Sequence, residues 1–284
     1  MAERLADVVT QIHNVRQLEA VVTAMRGIAA SRAQQSRSLL AGIEAYADVI
    51  SRTIGRALSL LPPDFATTSL RRRAKRGLIL FCAEQGFAGA FSERVLDAAV
   101  NDIGDATSLI VGTRGVGIAH ERGIKPVWSA PMAAHVDAIP GFANRLSDAL
   151  YGYVASGAVA EVDIVFPRWL SGRGIQIDRH SLLPIDFQRF AQPVEQQAPL
   201  TTLAPQPLLD RLAAEYLFAQ LCEAAVHAFE AENEARTMAM ASAKTNIETK
   251  LVGLSQRERQ LRQEEITTEI IELATGAEAL SQAS

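Results

Sequence analysis

From Leu5 onward, apolar residues recur at Val8, Ile12, Val15, Leu18, Val22, Met25 and Ala29, in steps of three and four. That spacing is the heptad stripe of a helix that packs along another helix. The first proline pair is Pro62-Pro63, so the pattern predicts one helix to about residue 58, roughly 85 Å long. The far end of the chain reads alike. Pro205 and Pro207 suit the first turn of a helix, and beyond them the chain has no proline and only Gly253 and Gly276. A helix over 207–284 would run about 75 residues and roughly 110 Å. Both lengths far exceed the mean globular helix of about 11–12 residues, so the two must pair with each other or with partners. The second seam, read as Ala224, Ala228, Ala231, Ala235, Met238, Ala239 and Ser242, is built from small or flexible residues. Such a seam allows close approach but buries little area, which predicts a slender rod supported by surrounding protein.

An antiparallel pair with level inner ends would place together positions whose numbers sum to about 266. Met25 then lies beside Ala239–Ser242, and residues beyond Glu265 have no partner in their own chain.

Between the rods the period changes. Leu78–Cys82, Ser108–Val111 and Val162–Phe166 are short apolar runs of the kind found in buried strands, with helical stretches at Ser92–Val100 and Phe142–Val154. Alternation of this kind predicts a largely parallel sheet with crossover helices, a Rossmann-like α/β domain over 75–200. Gly174–Leu183 reads as a closing edge strand and Gln192–Pro207 as a linker. The expected fold class is therefore α/β: two long terminal helices in an antiparallel coiled coil, 1–58 and 207–284, plus the central domain.

Composition narrows this picture. A net charge of −4 with 48% apolar residues supplies a core and gives no reason to propose nucleic acid, which favours a basic face. The longest apolar run, Leu78–Ala83, is far below the ~20 residues of a bilayer span. Met1–Asp7 lacks the basic-then-apolar order of a signal peptide. Cys82 and Cys222 are far apart and without CxxC spacing, as expected of idle reduced thiols in the cytosol.

Candidate chemistry is sparse. Glu84-Gln85-Gly86-Phe87-Ala88-Gly89-Ala90-Phe91 is a glycine loop between a strand and a helix, where phosphate can be cradled. It has no third glycine at fingerprint spacing, no GK[ST] and no ribose-binding acid after the second strand, so tight strand-to-helix packing accounts for it better. Gly112-Thr113-Arg114-Gly115-Val116-Gly117 reads as a turn with a solvated arginine. His13, His120, His135, His180 and His227 share no metal-ligand spacing, and no GxSxG elbow is present. Neither a catalytic set, nor a metal, nor a cofactor is expected, and Glu264, Glu265, Glu269 and Glu272 read as a solvated helix face.

The run Arg262-Gln263-Glu264-Glu265-Ile266-Thr267-Thr268-Glu269-Ile270-Ile271-Glu272-Leu273-Ala274-Thr275-Gly276-Ala277 closely resembles the gamma-subunit signature of F-type ATP synthases, R-Q-x-x-I-T-x-E-[ILV]-x-E-[IL]-x-x-G-A, at every fixed position. Ala24-Met25 with Ile28–Arg32, the loop Gly86–Phe91, Leu182-Leu183-Pro184, and Arg236, Ala239, Met240, Ala243 and Asn246 resemble further family motifs in the family's order. The resemblance implies a non-catalytic rotor shaft. Its terminal coiled coil would lie inside a hexamer of alternating alpha and beta subunits, and its α/β domain would lie near the epsilon subunit and the membrane ring of c subunits. It further implies a peripheral position on the cytoplasmic face of a bacterial inner membrane, with nucleotide chemistry confined to beta. Met25, Arg236, Arg262, Gln263, Thr267, Glu269 and Glu272 carry over as contacts to the hexamer and as coupling residues. Val22-Thr23, Ala83-Glu84, Ser92, Lys244 and Arg259 depart from the usual family residues, as in a divergent or alternative gamma subunit. Two other classes compete: an α/β nucleotide-binding enzyme with helical dimerisation arms, and an unrelated cytosolic coiled-coil adaptor.

Overall fold

The computed structural model describes residues 5–62, 75–190 and 200–282, with side chains described to Thr275. Two helices dominate it: α1, Leu5–Leu58, of 54 residues, and α5, Pro205–Gln282, of 78 residues. The chain forms two compact units that cut both helices. One unit takes the residues up to Ile28 and those from Thr237 onward; the other is Ala29–Arg236.

The larger unit is built on a five-stranded sheet of β1 (Arg76–Phe81), β2 (Thr107–Val111), β3 (Trp128–Ala130), β4 (Glu161–Leu170) and β5 (Gly174–Leu183), in the order β3-β2-β1-β4-β5. All neighbours are parallel except the β4–β5 pair, a long hairpin that closes one edge. Strands β1, β2 and β4 are apolar on both faces because both faces are covered. Leu78, Leu80, Cys82, Ile110 and Val165 pack under helices α2 (Phe91–Ala98) and α3 (Thr113–Glu121). The alternate residues Ile79, Phe81, Leu109, Val111, Ile164 and Phe166 face α4 (Ile139–Ala155) and the stretch Leu217–Phe229 of α5. Ile43, Leu39 and Leu40 of α1 join the same core.

Here the structure corrects the slender-rod reading. Every residue from Ala224 to Asn233 is buried, so the small residues of this stretch are crowded on all sides within their own unit. The expected helices and strands are otherwise present with shifted ends. Strand β3 escaped the sequence reading because Trp128-Ser129-Ala130 is too short to show a period. The glycine run after β2 is helical over Thr113–Glu121 and not a turn, while its Arg114 is exposed as expected. Gly112, at φ +100°, opens it, and a Cβ there would sit 2.4 Å from the Cys82 carbonyl oxygen. A Cβ on Gly115 would sit 2.0 Å from Cys82 Cβ, so these glycines let α3 lie directly on β1. Of the expected linker, residues 192–199 lie outside the described residues.

The smaller unit is an antiparallel helix pair. Val8 and Ile12 pack with Leu254 and Leu261 at one level, and Val22 and Met25 with Ala239, Met240 and Ile247 at another. Ile12 and Leu254 belong to one cluster and Met25 and Met240 to the other, which keeps the register near the expected sum. Three seam assignments are corrected: Leu18 and Met238 are more than half exposed, and Ser242 is exposed. Met240, buried against Val22, takes the place assigned to Met238. Among the described residues the pair ends at Leu261, and each residue from Arg262 to Thr275 is exposed.

Candidate coupling site

Parallel α/β sheets hold ligands in the crevice at the carboxyl ends of their strands. In this sheet β1, β2 and β3 deliver three loops there, and Glu84 joins them. Its carboxylate accepts hydrogen bonds from the Thr113 N–H at 2.9 Å, the Thr113 hydroxyl at 2.8 Å and the Met132 N–H at 2.8 Å. The Ala83 N–H donates to the Ser92 hydroxyl at 3.0 Å. The next two loop donors, the N–H groups of Glu84 and Gln85, reach the carboxylate of Glu232 on α5 at 3.1 and 3.0 Å.

Glu232 is itself paired with Arg236, one turn on, at 2.5 Å. The Arg236 guanidinium also donates to the Asn233 side-chain oxygen at 3.1 Å and to the Gly86 carbonyl at 3.3 Å. Glu232, Asn233 and Arg236 are each no more than 5% exposed. Removal of one partner from such a buried set leaves the other desolvated and unpaired, which costs about 3–5 kcal/mol. Residues two apart on a helix point to opposite sides, and α5 uses that here. Glu230 and Glu234 are both bound by Arg37 of α1, the former at 2.8 Å. At 230–236 the helix is therefore held by directional bonds on two sides.

The crevice is thus occupied by the chain's own carboxylates. The loop N–H groups of Glu84 and Gln85 are taken, and a phosphate would meet two negative charges in place of donors. This arrangement removes the physical basis for the nucleotide-binding alternative. At the loop tip Phe87 adopts a left-handed conformation, φ +63°, and is largely exposed.

The residues assigned to partner contact are not gathered into one site. Arg236 belongs to the buried network in the larger unit, and Met25 to the coil of the smaller one. Arg262, Gln263, Thr267, Glu269 and Glu272 all lie on the exposed end of α5. There Arg262 pairs with Glu258 at 2.8 Å and the Thr267 hydroxyl bonds the Gln263 carbonyl at 2.8 Å. At about 100° per residue, Ile266, Ile270 and Leu273 share one arc, flanked by Gln263 and Thr267. Glu265, Glu269 and Glu272 occupy another side. Ile266 is 51%, Ile270 60% and Leu273 74% exposed.

Glu232, Glu84 and Arg37 were missed by sequence reasoning. A signal existed: Glu232 and Arg236 stand at i,i+4 ion-pair spacing, with Glu230, Asn233 and Glu234 between alanines of the same stretch. His227 was also passed over. Its ring stacks on Phe166 at 5.8 Å and 12°, and among the described residues neither ring nitrogen has a hydrogen-bond partner. Burial, reinforced by Arg168, pushes its pKa down to about 4. Burial pushes both cysteines up to about 12, so they remain thiols.

The ATP synthase family profile matches residues 4–280. The chain is 25% identical to the ATP synthase gamma chain of Clavibacter michiganensis and 27% identical to that of Frankia casuarinae, in each case over 99% of both chains. In fold it is similar to a chain of the Euglena gracilis mitochondrial ATP synthase, solved as an OSCP/F1/c-ring assembly. The TM-score is 0.65 at 12% identity, covering 97% of this chain and 94% of that one. A chain of the Tetrahymena thermophila mitochondrial ATP synthase central stalk and c-ring matches with a TM-score of 0.57 at 15% identity, covering 78% of this chain and 99% of that one. Sequence and structure together place the chain in the ATP synthase family, as a non-catalytic gamma chain.

Proposed function

We infer that the chain transmits torque as the rotor shaft of an F-type ATP synthase, between a ring of c subunits in the membrane and the alpha–beta hexamer that makes or hydrolyses ATP. The observation that carries this reading is the end of α5. It continues as a single helix past the last packed residue of α1, with Ile266, Ile270 and Leu273 on one exposed arc. A lone helix of this length is marginal in water, and a row of large aliphatic side chains calls for a cover. A ring of alpha and beta subunits would supply one, with Gln263 and Thr267 at its rim and Met25 placed to steady the coil. The α/β unit is left for the epsilon subunit and the c ring. Among the described residues no helix is long and apolar enough to cross a membrane. A peripheral place on the cytoplasmic face of a bacterial inner membrane fits that.

The test is co-purification of the tagged chain with a beta-type ATPase subunit, followed by ATP-driven ion pumping in vesicles. The Gln263→Leu, Thr267→Val double variant is expected to assemble less or pump less while the α/β unit stays folded. Wild-type pumping by that variant, or absence of beta from the purified complex, would overturn the reading.

A further inference from the structure

We propose that Glu232 is the positioning residue that locks the rotation of α5 to the α/β unit, by occupying the sheet's ligand crevice as a built-in anion. The proposal rests on the rotor reading for its function, and on geometry for its mechanism. Around α5 the core contacts just before this point come from Ala224, Ala225, Val226, Ala228, Phe229 and Ala231. Burial of apolar groups is non-directional, so it does not by itself set one angle of the helix about its axis. Hydrogen bonds are directional. The Glu232 carboxylate, held by the Glu84 and Gln85 N–H groups and by Arg236, fixes the angle of the helix against the loop after β1. Glu84 carries the constraint on to the loops after β2 and β3 through Thr113 and Met132. Arg37 supplies the opposing hold through Glu230 and Glu234. The joint lies on the last turns of α5 within the larger unit, which ends at Arg236. Torsion in the helix would be handed to the sheet there, through carboxylates in place of a bound ligand.

The experiment has two arms. In the isolated full chain, Glu232→Ala is expected to speed amide hydrogen exchange at Glu84 and Gln85 about tenfold beyond any change in the core of β4, which reports the general loss of stability. Glu232→Gln, which keeps an acceptor, should fall between. In the assembled synthase, Glu232→Ala should leave ATP hydrolysis near wild type while ions pumped per ATP fall severalfold. The exchanged pair Glu232→Arg with Arg236→Glu separates a joint from a mere ion pair. It restores the charges yet leaves the loop N–H groups facing a cation, so it should not rescue pumping. Unchanged exchange at Glu84 and Gln85, full rescue by the exchanged pair, or an unchanged pumping ratio would overturn the joint. Failure of the wild-type chain to assemble with beta would overturn the rotor reading alone, since the exchange arm is read without partners. Should Glu232→Ala fail to fold, Glu232→Gln decides by the same two readouts.

Discussion

Two stretches of α5 share a backbone and differ in their surroundings. Ala224–Asn233 is buried at every position, and Arg262–Thr275 is exposed at every position. Their compositions run against first intuition. Four of the ten enclosed residues are alanine and three are Glu230, Glu232 and Asn233, whereas the naked stretch carries Ile266, Ile270, Ile271 and Leu273. Alanines and paired polar groups, with Phe229 among them, fill the place where the chain's own layers crowd the helix. Large aliphatic residues mark a place that the described residues of the chain leave uncovered. A hydrophobic period therefore says that a helix face is destined for burial, and not by whom.

The contrast can be broken most directly at Phe229, which is 4% exposed within the main core. Phe229→Ala is expected to cost about 3–5 kcal/mol, seen as a lower denaturation midpoint at unchanged slope. A loss below about 1 kcal/mol would mean that the stretch behaves as surface.

A second effect sharpens the contrast through pH. His227 is neutral in the folded chain until about pH 4, whereas an unfolded histidine takes up a proton near 6.5. Between those values the unfolded state binds more protons, so this group's contribution to stability falls as pH drops from about 6.5 to 4, and is flat outside that window. The full change is on the order of 3 kcal/mol. The stability of the wild type minus that of His227→Leu should fall by that amount as pH drops to 4. Parallel curves would show that the imidazole is solvated. The smallest effect lies at the naked end: Leu273→Ala should alter the isolated chain's stability by no more than about 0.5 kcal/mol. A larger loss would reveal a hidden partner within the chain.

Much of this was legible. The two long helices follow from the absence of proline and the three-four spacing, and their register from helix rise alone, because both rods advance equally per residue. The apolar strands at Leu78, Ser108 and Val162 announced a covered sheet. What failed did so for physical reasons. Leu18 and Met238 fit a heptad by number, but a straight helix drifts against a strict seven-residue repeat, and both are more than half exposed. Trp128–Ala130 is too short to carry a period. The network at Glu232 depends on three loops meeting one helix across some 150 residues of chain, which no local window contains. The motif positions on α5 were visible as a signature, but only the coordinates show that Arg236 is buried and Arg262 to Glu272 are not.

The carboxylate in the crevice also has a thermodynamic consequence. A joint completed by a diffusible nucleotide would tighten and loosen with ligand concentration, gaining RT ln(1 + [L]/Kd) when occupied. Glu232 and Glu84 are ligands attached to the chain, present at one fixed and saturating effective concentration. The anchorage of this helix is therefore the same in an energy-starved cell as in a replete one. A part that turns because nucleotide is bound and released elsewhere is held together by nothing that nucleotide levels can change.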